Sequence, residues 1–377
     1  MKLARTVMWG SLGLLAWTHV GYPLAAAGLA RVRRYRAERD DGFTPRVALV
    51  ITAHNEEAVI AERLENALRQ DYPQERVEIV VASDGSTDGT GERVTGYADR
   101  GVRLLELPRG GKVRSQNAAV GATEADVVAF SDANSLWEPD ALRLLVRHLA
   151  DEEVGYVCGR VDVDGTEGDS REGLYWRFEL WLRERESACG SVTAGNGGIY
   201  AVRRSAFLEL GPEHSHDLGL PFRLRRLGLR SVYEPDAVAR EPALRTTSAE
   251  GARKVRMLAR AWWEVLRGGL LDPRGQPPLY FAALVSHRLL RYVGAPLHVL
   301  LFLASARLAR RDRAARALLV AQVGFGGLAL AGRRRPEVPV AGAAWYYAVM
   351  TGASMAGLAR VLGQGPQVTW APNREDR

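Results

Sequence analysis

The residues of this sequence best suited to chemistry are Asp132 and Asn134, an Asp-x-Asn spacing at the end of a short apolar run. The run, residues 127–131, has the composition of a buried strand. Divalent cations such as Mg²⁺ bind oxygen ligands, usually one or two carboxylates together with substrate phosphates. The spacing therefore predicts a cation site at Asp132, with the neutral amide of Asn134 as a weaker ligand. A turn or helix N-cap would also favour aspartate here, so the interpretation depends on the rest of the chain.

Strands and helices alternate around this site. Continuous apolar runs predict strands at 47–52, 77–82, 102–107 and 127–131, and helical spacing predicts helices at 57–68, 88–99 and 112–122. This order predicts an α/β fold with a mostly parallel sheet and helices on both faces. Polar clusters follow three of the strands, at 53–57, 83–89 and 131–134. Because such sheets bind ligands at the carboxyl ends of their strands, the three clusters are predicted to form one site.

The next part of the chain is less regular. Its predicted strands and helices are strands at 154–161, 199–202 and 230–234, and helices at 174–186 and 221–227. The glycine-rich turn 193–198 is either a loop that lets backbone approach a ligand closely or a simple tight turn. His216 and Asp217 directly precede the second of these helices.

The composition indicates a folded protein near a membrane. Of the 377 residues, 47% are hydrophobic and 25% are charged, which excludes a disordered chain. The net charge of +7 suits nucleic acid, an anionic membrane surface or a phosphorylated substrate. Because many of the arginines lie beside apolar stretches, we expect a membrane and no nucleic acid. Cys158 and Cys189 have no metal-ligand spacing and are interpreted as buried thiols.

Several apolar stretches are candidates for membrane helices. Residues 7–30 are long enough to span, and the arginines that follow predict a cytoplasmic domain of an integral plasma-membrane protein. A cleaved signal peptide is the rival, because Ala25–Ala27 looks like a cleavage site. Residues 248–271 predict an amphipathic interfacial helix. Further apolar stretches lie at 280–306, 314–332 and 338–362.

The topology of these last three stretches is not decided by charge, because arginine-rich loops lie on both sides of the middle one. Arg288, Arg291 and Pro296 make residues 280–306 a poor span, so we expect that segment to be re-entrant or interfacial. The predicted division is an anchor with a basic flank at 1–40, an α/β domain at 41–245, an interfacial region at 246–278, apolar segments at 279–363 and a tail at 364–377.

Four motifs resemble, in order and spacing, those of membrane-bound glycosyltransferases of family 2, the group of cellulose, hyaluronan and poly-N-acetylglucosamine synthases. They are Ala53-His54-Asn55-Glu56-Glu57, Ser83 to Thr90, Gly111-Lys112 with Asn117, and Asp132-Ala133-Asn134. The resemblance covers about residues 45–245 and implies a GT-A fold, inverting sugar transfer from a nucleotide sugar, and Mg²⁺ or Mn²⁺. Val368-Thr369-Trp370 is similar to the terminal tryptophan segment of relatives, which implies that Trp370 is cytoplasmic.

The resemblance also implies roles for the matching residues. Those that would bind the donor are Asn55, Glu56, Asp84, Lys112, Asp132 and Arg256, of which Asp132, together with Asn134, would hold the cation. Asp217 would be the base that takes the proton of the acceptor hydroxyl, although a plain helix N-cap is the alternative. Glu184 and Glu186 match family positions too, but no chemistry follows from that match.

The chain departs from the family pattern at three places. Relatives often have aspartate where this chain has Asn134, and an acidic residue where it has His216. His216 either tunes the pKa of Asp217 or simply begins a helix. The Q-x-x-R-W motif of polymer-making relatives is replaced by Arg253-Lys254-Val255-Arg256-Met257, which argues against processive synthesis.

We therefore expect a membrane-embedded inverting glycosyltransferase of cell-envelope or exopolysaccharide synthesis. It would move a sugar from a nucleotide sugar, such as a UDP-sugar, to a saccharide or lipid-linked acceptor, in contact with membrane lipids. Two alternatives stay open at this point. One is a non-processive transferase that glycosylates a membrane lipid, and the other is an inactive GT-A-like partner subunit of an envelope complex.

Overall fold

The computed structural model describes residues 1–33, 35–163, 171–242, 247–335 and 338–369, which are built around one mixed sheet of eight strands. The strands are β1 Val47–Ala53, β2 Val77–Asp84, β3 Val102–Leu107, β4 Val127–Asp132, β5 Leu136–Trp137, β6 Val154–Val163, β7 Ile199–Arg203 and β8 Arg230–Glu241. Their order across the sheet is β3-β2-β1-β4-β7-β6-β8-β5. The α/β class is as predicted.

The sheet is parallel only in part, which corrects the expected mostly parallel sheet. β3, β2, β1 and β4 run in parallel, and so do β6 and β8. β7 runs antiparallel to both of its neighbours, and β5 pairs antiparallel with β8.

Helices cover both faces of the sheet. Those up to the end of the sheet region are α1 Lys2–Ala16, α2 Tyr22–Arg33, α3 Ile60–Leu68, α4 Thr90–Thr95, α5 Lys112–Gly121, α6 Ala141–Val146, α7 Arg171–Ala188 and α8 His216–Arg226. Leu64 of α3 packs on one face, and Val113 of α5 and Leu220 of α8 pack on the other. Every residue of β1 is buried as a result, which explains why the central strands are continuous apolar runs in the sequence.

Helix α8 begins at His216, five residues before the predicted start at Pro221. Ser215 is its N-cap residue, although its side chain makes no capping hydrogen bond. Proline favours the first turn of a helix, and the sequence prediction therefore placed the helix start at Pro221. In the structure Pro221 lies inside the helix, where its missing N–H leaves the carbonyl of Asp217 without a helical donor. That carbonyl accepts instead from the backbone N–H of Gly195, at 2.7 Å.

Strand β8 continues to Glu241, seven residues beyond its predicted end at Glu234. Its register against β6 shifts between the pairs Cys158–Tyr233 and Arg160–Val238. This irregularity contains Pro235 and Asp236, which interrupt a strand pattern in the sequence. Because the strand resumes after the bulge, it carries Glu241 to the sheet edge that also bears Asp132.

The remaining helices form the apolar part of the structure. They are α9 Thr247–Leu266, α10 Pro278–Ala283, α11 Leu290–Tyr292, α12 Gly294–Leu308, α13 Arg313–Arg334 and α14 Pro339–Gln364, with π-helical turns at Trp17–Gly21 and Leu284–Leu289. By length and composition, one helix among the described residues, α13, could cross a membrane. The pair Pro278–Tyr292 and Gly294–Leu308 adds a second candidate only if it is one broken span. The predicted segment 7–30 is helical but is interrupted by the first π turn.

The predicted segment 280–306 is sharply bent. Its two halves meet at an angle of 65°, with the break at Val293 rather than at Pro296. Proline lacks the N–H that would bond to the residue four positions earlier and also crowds that carbonyl, so the chain breaks in the turn before it. A pair bent in this way is either one broken span or a re-entrant segment, so the expected re-entrant or interfacial placement stays a prediction. Trp370 lies outside the described residues.

Candidate active site

The three polar clusters meet at one edge of the sheet, as the sequence predicted. β1 pairs with both β2 and β4, so Ala53 lies beside Ser83 and Thr52 lies beside Asp132. The side chains that follow these strands therefore share a rim at the carboxyl ends of the parallel strands. That rim is where an open α/β sheet binds its ligand.

Asp84 is fully buried and holds the loop of residues 109–111. Its carboxylate accepts hydrogen bonds from the backbone N–H of Gly110 at 2.6 Å and of Gly111 at 3.0 Å, and it pairs with Arg109. Gly111 has a left-handed φ of 93°, which favours glycine. Asp84, which the sequence predicts to bind the nucleoside, thus holds a glycine loop that leads directly into Lys112.

Asn55 and Glu56 are placed at the same rim but use their polar groups within the protein. Asn55 Oδ1 accepts from the Thr87 N–H at 2.7 Å and so fixes the loop after β2, with Asn55 itself at a φ of 55°. The Glu56 N–H donates to Thr90 Oγ1 at 2.8 Å, and the Glu56 side chain is buried. Both residues shape the predicted nucleoside pocket.

Lys112 and Asp132 form an ion pair at the centre of the rim. Lys112 Nζ contacts an oxygen of Asp132 and also donates to the carbonyl of Gly197 at 3.1 Å. Both side chains are partly exposed, with 22% and 33% of their surface accessible. The sequence predicted that Lys112 binds the diphosphate and that Asp132 binds the cation. Because the two are in contact, an anion and a cation bound here would lie side by side.

The residues around Asp132 offer an oxygen-rich set for a divalent cation. Asn134 has no hydrogen-bond partner among the described residues, and Glu241 reaches the same edge and accepts from Ser135 Oγ. Burial, and next the negative charge of Asp132, raise the pKa of Glu241. The described residues contain no group of three His, Cys, Asp or Glu side chains that could hold a metal alone. A cation here therefore fits as one shared with the phosphates of a ligand.

Asp217 lies across Gly197 from Lys112. A β-carbon built on Gly197 would lie 3.5 Å from Lys112 Nζ and 3.9 Å from Asp217 Oδ2. The Asp217 carboxylate is half-buried and has no hydrogen-bond or ion-pair partner among the described residues. It lies in the first turn of α8, with Ser215 as the N-cap residue, so the N-cap alternative does not hold. Its position beside Lys112 and Asp132 favours the ligand-approach interpretation of the turn 193–198.

His216 is the first residue of α8 and is buried beneath the rim. Its ring nitrogens lie 2.7 Å from Gln116 Oε1 and 3.2 Å from Asn117 Oδ1, both on α5. Burial, and next the positive charge of Lys112, lower the pKa of His216 to about 3. The side chain is therefore neutral at physiological pH and joins α8 to α5.

Arg256 belongs to a cluster of like charges outside the rim. Burial and the repulsion of Arg253 and Arg360 lower its pKa, and it has no partner among the described residues. One turn later, Arg260 Nη2 donates to the carbonyls of Gln367 at 3.2 Å and Val368 at 2.9 Å. The Val368 carbonyl lies against Gly111, closer than a β-carbon there would permit. Among the described residues, no direct contact joins Arg256 to Lys112 or Asp132.

Four residues of the rim were missed by the sequence analysis: Arg109, Ser135, Glu241 and Arg260. Arg109 precedes the two glycines of a predicted motif, and this position is a local signal that could have been used. Ser135 follows Asn134 and gave no signal of its own. Glu241 could not be placed because the sequence pattern of β8 is interrupted before it. Arg260 could not be placed because it contacts a segment more than 100 residues away in the sequence.

The mixed sheet and its strand-end site define a GT-A-like α/β protein. Residues 48–211 match the family described as Glycosyl transferase family 2. This segment, which is less than half of the chain, is thus similar to glycosyltransferases of family 2. The narrower resemblance to cellulose and hyaluronan synthases stays a prediction.

Curated relatives match part of the chain. Beta-monoglucosyldiacylglycerol synthase from Nostoc sp. is 30% identical over 235 residues, which are 58% of this chain and 49% of that protein. An N-acetylglucosaminyltransferase from Rhizobium meliloti is 28% identical over 216 residues, 52% of this chain and 50% of that protein. The chain thus spans about half the length of the curated relatives it matches.

One solved structure matches nearly the whole chain. It is the mannosyltransferase PcManGT from Pyrobaculum calidifontis, in complex with GDP-Man and Mn²⁺. The TM-score is 0.73 at 24% sequence identity, and the match covers 95% of this chain and 99% of that one. The two proteins share a fold that includes the helices outside the sheet.

Proposed function

We propose that the protein transfers a sugar from a nucleoside diphosphate sugar to a membrane lipid or lipid-linked saccharide, with inversion of the anomeric configuration. The observation that carries the proposal is the carboxylate of Asp217, which has no hydrogen-bond partner among the described residues and lies near Gly197 together with Lys112, the ion-pair partner of Asp132. A diphosphate bound at Lys112 would present the anomeric carbon of its sugar to the space before Asp217. This arrangement favours an active enzyme over an inactive partner subunit.

The proposed reaction is a single displacement. The acceptor oxygen attacks the anomeric carbon on the face opposite the diphosphate, its bond to that carbon forms, and the bond from the carbon to the phosphate oxygen breaks. The proton of the acceptor hydroxyl passes to Asp217, and the electron pair of the broken bond leaves with the nucleoside diphosphate. Attack from the opposite face inverts the configuration.

Lys112 and the glycine loop would bind the leaving diphosphate. Lys112 offers an ammonium group and Gly110 and Gly111 bring the backbone close to the phosphates. Asp132, Asn134 and Glu241 would hold Mg²⁺ or Mn²⁺, which when bound neutralises charge on the leaving group.

A lipid-linked acceptor is supported by the apolar helices beside the site. Large hydrophobic side chains are exposed on several of them, including Trp9, Leu14, Val320, Phe325, Leu330, Val340 and Leu362. Such a surface is typical of contact with lipid. The replacement of Q-x-x-R-W and the similarity to a glucolipid synthase favour the addition of single sugars over long polymers.

The test is turnover of labelled nucleotide sugars by membranes that contain the protein. We expect one or a few donors, UDP-sugars among them, to yield label in the lipid extract. Membranes with Asp132→Ala are the control and should yield none. Absence of labelled product and of released nucleoside diphosphate for every donor would contradict the proposal. Label in long water-soluble polymer would leave the transfer intact and contradict the acceptor.

A further inference from the structure

The loop of residues 193–197, called here the 193–197 loop, is attached to the active site at two points. The Gly195 N–H donates to the Asp217 carbonyl at 2.7 Å, a bond that exists because Pro221 leaves this carbonyl free. The Gly197 carbonyl accepts from Lys112 Nζ at 3.1 Å. A displacement of the loop would therefore move the proposed base and the proposed diphosphate ligand together.

The start of the same loop is held from below by Glu186, a residue of α7 that is 2% exposed. Glu186 Oε2 accepts from the Thr193 N–H at 3.0 Å and from the Thr193 hydroxyl at 2.8 Å. The hydroxyl oxygen in turn accepts from Arg288 Nε at 2.9 Å. Thr193 is thus fixed between a carboxylate of the catalytic domain and an arginine of the apolar part.

The second oxygen of Glu186 is bound by the apolar part as well. It accepts from the Tyr22 hydroxyl and from His287 Nδ1, each at 2.6 Å. With Thr193, the carboxylate has four donors, which is its full capacity. Burial alone would disfavour the charge, but the facing His287 and Arg288 hold the pKa of Glu186 at about 2. The group is ionised and fully satisfied, as a rigid anchor must be.

We propose that Glu186 is a positioning residue of the transfer reaction. Its carboxylate holds Thr193, and through the 193–197 loop it sets the distance between Asp217 and Lys112. Because Tyr22 and His287 bind the same carboxylate, the packing of the apolar helices determines the geometry of the active site. This inference rests on the proposed sugar transfer, and it assigns a role to a motif residue that contacts no donor or acceptor.

Two substitutions on α7 test the proposal by steady-state kinetics and nucleoside diphosphate binding. Glu186→Gln keeps the shape but turns an amide toward donors, so we expect kcat to fall about 10- to 100-fold, because small displacements of catalytic groups cost that much. Donor KM and nucleoside diphosphate affinity should stay within about twofold. The matched control is Glu184→Gln, whose side chain is 54% exposed, and it should keep wild-type kinetics.

A second pair of variants keeps the test decisive if Glu186→Gln does not fold. Thr193→Val retains the shape and removes the hydroxyl, whereas Thr193→Ser retains the hydroxyl. We expect Thr193→Val to lose kcat in the same way and Thr193→Ser to restore most of it, at equal melting temperatures. Equal kcat in both variants, or a loss of donor binding that parallels the loss of kcat, would overturn the positioning role. A wild-type protein without transfer would instead overturn the proposed function.

Discussion

Asp132 and Lys112 neutralise each other in the structure, although each has a different proposed partner in the donor complex. A nucleotide sugar with its cation supplies both partners at once, a diphosphate for Lys112 and a positive ion for Asp132. We therefore expect donor binding to replace the ion pair between Lys112 and Asp132.

Chelation tests this dependence on a cation. We expect EDTA to abolish transfer and added Mg²⁺ or Mn²⁺ to restore it, because Asp132 and Glu241 repel each other without one. Labelled lipid product is the readout, and Asp132→Asn should lose the rescue. Full activity in EDTA would remove the cation role from Asp132.

His216 makes a separate prediction for stability. The folded pKa of about 3 lies below that of an unfolded histidine, so as pH falls the unfolded chain takes up the proton first. Stability is therefore lost below pH about 6.5, by about 1.4 kcal/mol per pH unit, until the folded pKa is reached. The substitution His216→Gln removes this pH-dependent contribution to stability. Its melting temperature should fall less steeply between pH 7 and pH 5 than that of the wild type, and equal slopes would contradict the prediction.

The candidate site residues could be singled out because each lies at a strand end or near a helix start within a local motif, and their roles stay predictions. Asp84, Lys112, Asp132 and Asp217 could all be named from the sequence, and the structure brings the last three together. What could not be predicted is the partner of each group. Asp84 accepts hydrogen bonds from a glycine loop, and the Asp217 carbonyl accepts one from Gly195. Both interactions join segments that are distant in the sequence.

At the scale of elements, the two wrong boundaries lie beside prolines. The helix predicted to begin at Pro221 begins at His216, and the strand predicted to end at Glu234 continues through Pro235 to Glu241. The N–H of Gly195 donates to the Asp217 carbonyl, which Pro221 leaves without a helical donor. At Pro235 the register between β6 and β8 shifts, so the two strands pair again beyond the bulge. The strands β1 to β4 were predictable because burial on both faces leaves an unbroken apolar run.

The positions of the C-terminal tail and of the bent segment 278–308 lead to an expected membrane topology. The Val368 carbonyl lies on Gly111, so the last described residues are on the same side as the active site. With α12 packed along α1, through Leu301 and Met8, the loop around Arg310 lies at the opposite end of these helices. The 65° bend allows the chain to leave the catalytic side without one straight span.

Cysteine labelling tests this topology in a background of Cys158→Ser and Cys189→Ser. A cysteine at Thr369 should react with a membrane-impermeant reagent only after permeabilisation of cells, and one at Asp99 of the catalytic domain should behave identically. A cysteine at Arg310 provides the contrast. Labelling of Thr369→Cys in intact cells, with Asp99→Cys protected, would place the tail and the active site on opposite sides.

The whole molecule combines a basic charge of +7 with a broad exposed apolar surface on α1, α12, α13 and α14. Exposed leucine, valine and aromatic side chains on adjoining helices favour insertion into lipid, and the flanking arginines suit an anionic surface. Of these helices, α13 is long and apolar enough to cross, and it is mostly exposed in the structure. This arrangement would hold the active site at the membrane surface, where a lipid-linked acceptor is found.

Alkaline carbonate extraction tests the membrane contact of the whole protein. We expect the protein to stay in the membrane pellet at high pH, because apolar contacts do not depend on charge. A variant in which Val320 and Val323 of α13 are replaced by aspartate should leave the pellet or fail to accumulate. Complete release of the wild type into the supernatant would contradict membrane insertion.

The most direct test of the central claim is the comparison of Asp217→Asn with the wild type in transfer and in binding. The substitution keeps the size of the side chain and removes its ability to accept a proton. We predict that transfer to the lipid acceptor falls by about 10²-fold or more, while the affinity for the nucleoside diphosphate is unchanged. Transfer at the wild-type rate, or a parallel loss of nucleoside diphosphate affinity, would contradict the assignment of Asp217 as the base.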